Sequence, residues 1–157
     1  MQRISDTPEM TAAIARAIGA TAKPGDVIIL SGDLGAGKTT MTKGIAEGLG
    51  LTQIIKSPTY TIIREYQQGK IPLYHMDIYR VGEEPEDLGL EEYFDGDGLS
   101  VVEWGELLGA FLPKEYVTIT LEKDNQELTK RRLSFEAVGS SAADYLERMK
   151  EKMEEEE

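Results

Sequence analysis

Apolar and polar positions alternate along the first third of the chain in a way that predicts helix, strand and helix in turn. A helix is predicted over residues 8–19, because Pro8 suits its first position and Gly19 suits its end. Residues 26–30 are almost entirely apolar, which is typical of a strand buried on both faces of a parallel sheet. A glycine-rich turn follows, and helical spacing resumes over residues 38–49.

The remainder of the chain predicts a hairpin, a short acidic helix, three further strands and a last helix. The hairpin strands are residues 59–66 and 71–79, and the acidic helix is 83–94. The three further strands are 99–102, 116–121 and 132–138, and Ser141 with Asp144 opens the last helix. This order predicts a three-layer α/β sandwich, and the hairpin makes its central sheet mixed, although mostly parallel. No repeat or linker marks a second domain, so we expect one domain over residues 1–150 and an acidic tail over residues 151–157.

Composition narrows the chemistry. The 157 residues include no cysteine and one histidine, which excludes disulfides, thiolate metal sites and multi-histidine metal sites. No apolar run reaches the roughly 18 residues of a membrane span, and the N-terminus lacks the apolar core of a signal peptide, so a cytoplasmic protein is expected. The net charge of −12 argues against direct binding to a nucleic-acid backbone, since that affinity comes from basic residues.

The strongest motif is GDLGAGKT at residues 32–39, which matches the phosphate-binding loop pattern GxxxxGK[ST]. Its glycines let backbone N–H groups surround an anion, Lys38 supplies a positive charge toward the phosphates, and Thr39 offers a hydroxyl to Mg²⁺. A plain glycine turn is disfavoured, because the motif lies between a buried strand and an amphipathic helix. The sequence therefore predicts a P-loop fold that binds a nucleoside triphosphate.

An acidic partner for Mg²⁺ is expected at the end of a neighbouring strand. Glu103 follows the apolar run 99–102 and fits this place, and Asp77 competes for it near the end of another predicted strand. Both carboxylates can serve, one on the metal and the other on water or an ordering contact. The segment Ser57-Pro58-Thr59 is either a switch loop that senses the γ-phosphate or a turn that starts a strand.

Other residues carry weaker signals. His75 is interpreted first as a packed or hydrogen-bonded residue, and Trp104 as a core anchor that borders the site. Asp33 would repel phosphates if it pointed into the loop, and the sequence gives no account of it. Several arginines are candidate charge stabilisers that spacing does not separate: Arg64, Arg80, Arg131 and Arg132.

Two features that the sequence lacks help to identify the base of the nucleotide and the class of protein. It contains no [NT]KxD tetrad of the kind that reads guanine, so adenine is favoured. Residues 82–98 are acidic and contain no Lys or Arg, which argues against a small-molecule kinase with an arginine-rich lid. That kinase stays an alternative, as does a nucleotide-gated binding module that uses the same residues.

Four segments together resemble the bacterial TsaE (YjeE) ATPases: GDLGAGKTT at 32–40, SPTY at 57–60, HMDIYR at 75–80 and VEWGE at 102–106. The resemblance runs from about residue 5 to residue 141. It implies Mg²⁺-dependent ATP hydrolysis in the formation of N6-threonylcarbamoyladenosine beside the anticodon of tRNAs that read ANN codons. It also implies action with a TsaB–TsaD complex and contact with tRNA only through these partners. We further expect the isolated chain to be monomeric or to self-associate weakly.

The resemblance also assigns roles to residues of this sequence. Lys38 would hold phosphates, Thr39 and Glu103 would hold Mg²⁺, and Thr40 and Asp77 would serve ATP turnover. The other nucleotide-binding positions it implies are Gly32, Asp33, Leu34, Gly35, Ala36 and Gly37 in the loop, with Thr11 and Arg131 beside the base or ribose and Thr59 in a switch-like loop. Weak activity of the isolated chain is expected, because no arginine within the motifs is placed as an arginine finger.

Overall fold

The chain forms seven strands and four α-helices in a computed structural model that describes residues 1–32, 36–52, 63–78 and 89–155. The strands are β1 (Gln2–Ser5), β2 (Val27–Gly32), β3 (Ile63–Tyr66), β4 (Leu73–Asp77), β5 (Leu99–Glu103), β6 (Tyr116–Lys123) and β7 (Arg131–Val138). The helices are α1 (Pro8–Ala20), α2 (Lys38–Gly48), α3 (Leu90–Phe94) and α4 (Ser140–Glu155), and a 3-10 segment covers Gly105–Phe111.

All seven strands belong to one sheet in the order β1-β7-β6-β2-β5-β4-β3. The central strands β6, β2, β5 and β4 are parallel to one another, and the antiparallel strands lie outside them. This arrangement confirms the predicted α/β fold with a mixed, mostly parallel sheet. It also brings the carboxyl ends of four parallel strands to one edge, where ligands of open α/β sheets bind.

The two faces of the sheet are covered by different helices. On one face Ile28 and Leu30 of β2 pack in the main core with apolar residues of α1, α2 and α4. On the other face Val27 and Ile29 pack with α3 and with Leu108 of the 3-10 segment. The result is the predicted three-layer sandwich, in which the first face carries the larger core.

Gly19 does not end α1 as its sequence position suggested. The helix continues to Ala20, and Thr21 follows as its C-terminal cap. A Cβ atom at Gly19 would overlap the carbonyl oxygen of Ile45, and one at Gly44 would overlap the side chain of Ala15. These glycines therefore allow α1 and α2 to approach closely, and this contact braces the helix that follows the phosphate-loop motif.

The predicted hairpin is present in its described part. Strands β3 and β4 pair antiparallel, with Ile63 opposite Met76 and Tyr66 opposite Leu73. Residues 53–62 and 79–88, which include the start of the predicted first strand and most of the predicted acidic helix, lie outside the described residues. The end of that helix is present as α3. Among the helices that the structure describes, none is both long and apolar enough to cross a bilayer.

The last helix begins at Ser140, one residue before the predicted start. Its first turn is held by Glu115, whose Oε1 accepts hydrogen bonds from the Ser140 hydroxyl at 3.2 Å and the Ser141 N–H at 3.2 Å. The helix continues beyond residue 150 to Glu155, and Met153 is buried in the main core. The first part of the acidic tail is thus helical and packed on the domain.

Halfway along α4, Arg148 anchors the turn that enters β2. Its Nη2 donates to Asp26 Oδ2 at 2.6 Å and its Nε donates to the Thr21 carbonyl at 2.9 Å. The Lys23 N–H donates to the same oxygen of Asp26 at 2.8 Å. Burial raises the pKa of the Asp26 carboxyl, and this effect exceeds the opposing effects of the Lys23 hydrogen bond and the Arg148 charge.

Candidate nucleotide site

The glycines at the two ends of the phosphate-loop motif are required by the backbone. Gly37 has φ 106° immediately before α2, a conformation that L side chains rarely adopt. Gly32 has φ 147°, and a Cβ there would lie 2.6 Å from the carbonyl oxygen of Leu121 on the neighbouring strand. Asp33, Leu34 and Gly35 lie outside the described residues. The described ends of the motif therefore lie at the end of β2 and at the start of α2, as the sequence predicted.

The first turn of α2 faces this turn with its backbone donors. Lys38 is 9% exposed, whereas Thr39 and Thr40, which follow it, are exposed. The first N–H groups of a helix have no partner within the helix, and the helix dipole places positive charge there. Ala36 and Gly37 complete the described part of the turn. This arrangement is suited to binding the phosphates of a nucleotide.

The two predicted carboxylates lie side by side at the ends of parallel strands. Asp77 ends β4, Glu103 ends β5, and the two are paired in register. Glu103 is also paired with Leu30 of β2, the strand that leads into the phosphate-loop motif at residues 32–39, which we call the phosphate turn. Directly paired residues share a face of the sheet, so both carboxylates lie on the face that α2 covers. They are 8% and 7% exposed.

His75 holds one of these carboxylates. It is fully buried on β4, and its Nε2 lies 2.6 Å from Glu103 Oε2. Its Nδ1 is buried and has no hydrogen-bond partner among the described residues. The arrangement is satisfied when Nε2–H donates to Glu103 and Nδ1 carries no hydrogen, because the opposite tautomer would leave a buried N–H without an acceptor. Glu103 Oε2 therefore accepts a hydrogen bond from Nε2–H.

Trp104 connects the end of β5 to Lys38, the lysine of the phosphate-loop motif. The Lys38 ammonium lies 4.4 Å from the centroid of the indole ring, within the range of a cation–π contact. Trp104 has φ 61° and ψ 30°, and it is the one residue other than glycine with positive φ in the described part of the chain. Such a conformation is strained for a bulky residue, and strain of this kind is concentrated at functional sites.

Thr11 and Arg131, predicted beside the base or ribose, are linked through β1. Arg131 pairs in register with Ser5, and Ser5 Oγ lies 2.6 Å from Thr11 Oγ1. Arg131 Nε also donates to the carbonyl oxygen of Ala36 in the phosphate turn at 3.0 Å. The structure thus brings Arg131 to the loop, with Thr11 buried behind it.

The remaining candidate arginines lie in different environments. Arg64 lies opposite His75 in the β3–β4 register, and its buried Nε has no partner among the residues the structure describes. Arg132 forms an exposed ion pair with Glu122 at 3.6 Å. Arg80, together with the predicted switch residues Ser57, Pro58 and Thr59, lies outside the described residues.

The donor set fits Mg²⁺. Thr39 and the two strand-end carboxylates offer oxygen atoms, which Mg²⁺ prefers, and a nucleotide-bound Mg²⁺ commonly takes one or two protein oxygens and completes its shell with phosphates and water. Within residues 1–32, 36–52, 63–78 and 89–155, no group of three or more acidic or histidine side chains is arranged to hold a metal alone. The residues that would hold Mg²⁺ are Thr39 and Glu103, with Asp77 beside them.

Two contacts in the site, one made by His75 and one by Trp104, were not identified from the sequence. His75 was interpreted first as a packed or hydrogen-bonded residue, and the structure shows it buried and hydrogen-bonded. Glu103 was not named as its partner, although His75 stands two positions before Asp77 and therefore on the same face of the strand. That spacing was the signal that could have joined it to the carboxylates. Trp104 was interpreted as a core anchor that borders the site, and it packs against the smaller core next to Lys38. Its contact with Lys38 accompanies a left-handed backbone conformation that the sequence does not reveal.

Comparison with known proteins agrees with this geometry. The sequence profile of the family described as threonylcarbamoyl adenosine biosynthesis protein TsaE matches residues 5–133. The chain is 56% identical over 133 residues to the tRNA threonylcarbamoyladenosine biosynthesis protein TsaE of Bacillus subtilis, covering 85% of this chain and 83% of that protein. The protein of the same name from Treponema pallidum is 40% identical over 134 residues, covering 82% of this chain and 98% of the relative.

A solved structure shows the same fold. The crystal structure of YdiB from Bacillus subtilis superposes with a TM-score of 0.85 at 46% sequence identity, covering 96% of this chain and 94% of that one. The family match, the close relatives and the shared fold all include the phosphate turn and the strands that carry the two carboxylates. The chain belongs to the TsaE family.

Proposed function

We propose that this chain is a Mg²⁺-dependent ATPase that supports the formation of N6-threonylcarbamoyladenosine in tRNA. The observation that carries this proposal is the position of Glu103 and Asp77 at the carboxyl ends of β5 and β4, beside the strand that enters the phosphate turn. The names of the relatives from Bacillus subtilis and Treponema pallidum supply the pathway.

The chain's residues divide the work by position. Lys38 and the N–H groups of the first turn of α2 bind the phosphates, and Thr39 with Glu103 holds Mg²⁺. When bound, Mg²⁺ neutralises charge that develops on the phosphate oxygens. Asp77 orients the attacking water or the switch loop of residues 57–59, and Thr40 assists turnover from the first turn of α2. Catalysis of this kind depends mainly on positioning and charge stabilisation.

In this proposal the nucleoside lies on the side of the phosphate turn that Arg131 contacts. Arg131 reaches the loop through Ala36 and is the residue best placed to contact the ribose or the base. The Thr11 hydroxyl is already engaged with Ser5, so its contribution is to hold this corner in shape. Adenine is the proposed base.

The proposed partners are TsaB and TsaD, which would bring tRNA to the assembly. A net charge of −12 disfavours direct contact between this chain and a tRNA backbone. The proposed location is the cytoplasm, where tRNA is modified. We expect weak turnover by the isolated chain and stronger turnover when partners complete the site.

The test is phosphate release from ATP by the chain alone and with a TsaB–TsaD pair, with Glu103→Ala as the blank. Strong stimulation by the pair that disappears in the variant supports the proposal. Tight ATP binding without stimulation contradicts it. An acceptor that increases ATP consumption and becomes phosphorylated would instead identify a small-molecule kinase.

A nucleotide-gated binding module is the second candidate. It is favoured by one observation: Glu103 and Trp104 lead directly into the 3-10 segment, whose Leu107 and Phe111 are 54% and 39% exposed. In that case ATP and ADP would change the affinity of a partner for this surface, and hydrolysis would reset the switch. Partner affinity that is equal in the ATP, ADP and nucleotide-free states excludes this candidate.

A further inference from the structure

We propose that His75 is a positioning residue that fixes the Glu103 carboxylate for Mg²⁺, an inference that rests on the proposed function of the site. The imidazole belongs to β4 and the carboxylate to β5, and the two are joined by a 2.6 Å hydrogen bond between His75 Nε2 and Glu103 Oε2. Because both ends of this bond are on central strands of the sheet, the bond ties the carboxylate to a rigid frame.

The register of the two strands explains how the bond is made. His75 is paired with Val101, and Asp77 with Glu103, so the histidine lies one side-chain level below the pair of acids on the same face. From there it reaches diagonally up to Glu103. Asp77 remains level with Glu103, so the histidine supports the pair of acids from beneath.

The chemistry of the bond suits a metal ligand. The histidine engages one oxygen of the carboxylate, Oε2, and a carboxylate has a second oxygen with which it can bind a cation. Side chains that hydrogen-bond to a metal ligand orient it, and their loss typically weakens metal affinity about 10- to 100-fold.

The position also argues that the histidine is retained for this bond. Its neighbours on this face of the sheet, Leu73 and Val101, are fully buried apolar residues of the main core. A buried imidazole is costly unless it is hydrogen-bonded, whereas a leucine would pack there without this cost. Within the described residues the imidazole makes one hydrogen bond, and that bond goes to Glu103.

The test compares His75→Leu, which removes the donor, with His75→Gln, which retains an amide N–H at a similar reach. Ser100→Ala is the matched control, because Ser100 is a buried polar residue of β5 whose Oγ has no described hydrogen-bond partner and which packs away from Glu103. The chain has one tryptophan, Trp104, so its fluorescence reports Mg²⁺ binding to the ADP-bound protein without any measurement of turnover.

The expected result is a Mg²⁺ affinity about tenfold or more weaker in His75→Leu, largely restored in His75→Gln and unchanged in Ser100→Ala. ADP affinity measured without Mg²⁺ should stay the same in all three. A Mg²⁺ affinity in His75→Leu equal to that of the natural chain overturns the proposal, as does a loss of Mg²⁺ affinity that His75→Gln shares in full while remaining folded.

A measurement on the natural chain keeps the proposal testable if the leucine variant fails to fold. His75 is the sole histidine, so ¹⁵N-histidine labelling gives one imidazole spectrum. Mg²⁺ added to the ADP-bound protein should shift the Nε2 resonance, and the same addition to Glu103→Gln should not. A Mg²⁺-dependent change in Trp104 fluorescence with no change at His75 overturns the positioning role alone. No Mg²⁺ dependence of either signal overturns the proposed function of the site.

Discussion

Two buried acids occupy opposite ends of the parallel strands, and each accepts a 2.6 Å hydrogen bond from a basic side chain. Asp26 lies just before β2 and is held by Arg148, while Glu103 ends β5 and is held by His75. Arginine is always charged, so Arg148 compensates Asp26, and the Lys23 N–H binds the same oxygen. His75 makes one described hydrogen bond, to Glu103, and its Nδ1 has no partner among the described residues. The comparison teaches that the acid before β2 is held by two donors, one of them permanently charged, whereas the acid at the end of β5 is held by one described donor at the edge where ligands of open α/β sheets bind.

The largest expected effect comes from removing the charge of Glu103, at the carboxyl end of β5. Glu103→Gln retains the shape of the side chain and an acceptor for His75, so the free energy of unfolding should change by less than about 1 kcal/mol. Phosphate release from ATP in the presence of TsaB–TsaD should fall about 100-fold or more, because the variant lacks the charge that we propose holds Mg²⁺. A variant that keeps its turnover would transfer the metal role to Asp77.

The opposite pattern, a loss of stability without a loss of ATP affinity, is expected for the Arg148–Asp26 pair before β2. Arg148→Met leaves the buried Asp26 carboxylate without its cation, and the free energy of unfolding measured in urea should fall by about 3 kcal/mol. Affinity for ATP should be unchanged, because the pair lies at the other end of the strands from the phosphate turn. The double variant Asp26→Asn with Arg148→Met is the control, and it should recover part of the loss since no unpaired charge remains.

These contrasts also show which features local sequence patterns reveal. The phosphate turn, the strand-end acids and the order of the elements follow from residues adjacent in sequence. The His75–Glu103 bond joins residues 28 positions apart and depends on the β4–β5 register. Glu115 likewise reaches Ser141 from 26 positions away. Gly19 was misread as a helix end for the same reason, because its role is set by the close approach of α2.

The pH dependence of stability should separate Asp26 from an ordinary carboxylate. Burial raises its pKa above 3.8, so the folded chain binds the proton more tightly than the unfolded chain does. The stabilisation from this proton is fully present below pH 3.8 and is lost as pH rises through the raised pKa. Urea unfolding from about pH 3 to about pH 7 should therefore show the stability of the natural chain falling relative to Asp26→Asn. A constant difference contradicts the raised pKa.

The smallest expected effect has the opposite sign and supplies a control for that experiment. Hydrogen bonds from the backbone N–H groups of Glu127 and Gln126 lower the pKa of the Asp124 carboxyl. Its stabilising contribution is present above the unfolded pKa and is lost as pH falls through the folded one. The stability of the natural chain relative to Asp124→Asn should therefore rise with pH over the same range. A parallel trend for Asp26 and Asp124 would mean that burial does not dominate at Asp26.

The parallel pairing of β2 has a consequence for how the chain folds. Ile28 of β2 pairs with Val117 on one side and with Val101 on the other, so the strand that enters the phosphate turn finds both neighbours far along the sequence. Such distant pairings form slowly, whereas α1 and α2 are close in sequence and can associate early. The complete site therefore exists only late in folding. We expect ATP to slow the unfolding of the finished protein and to leave the early steps of its folding unchanged.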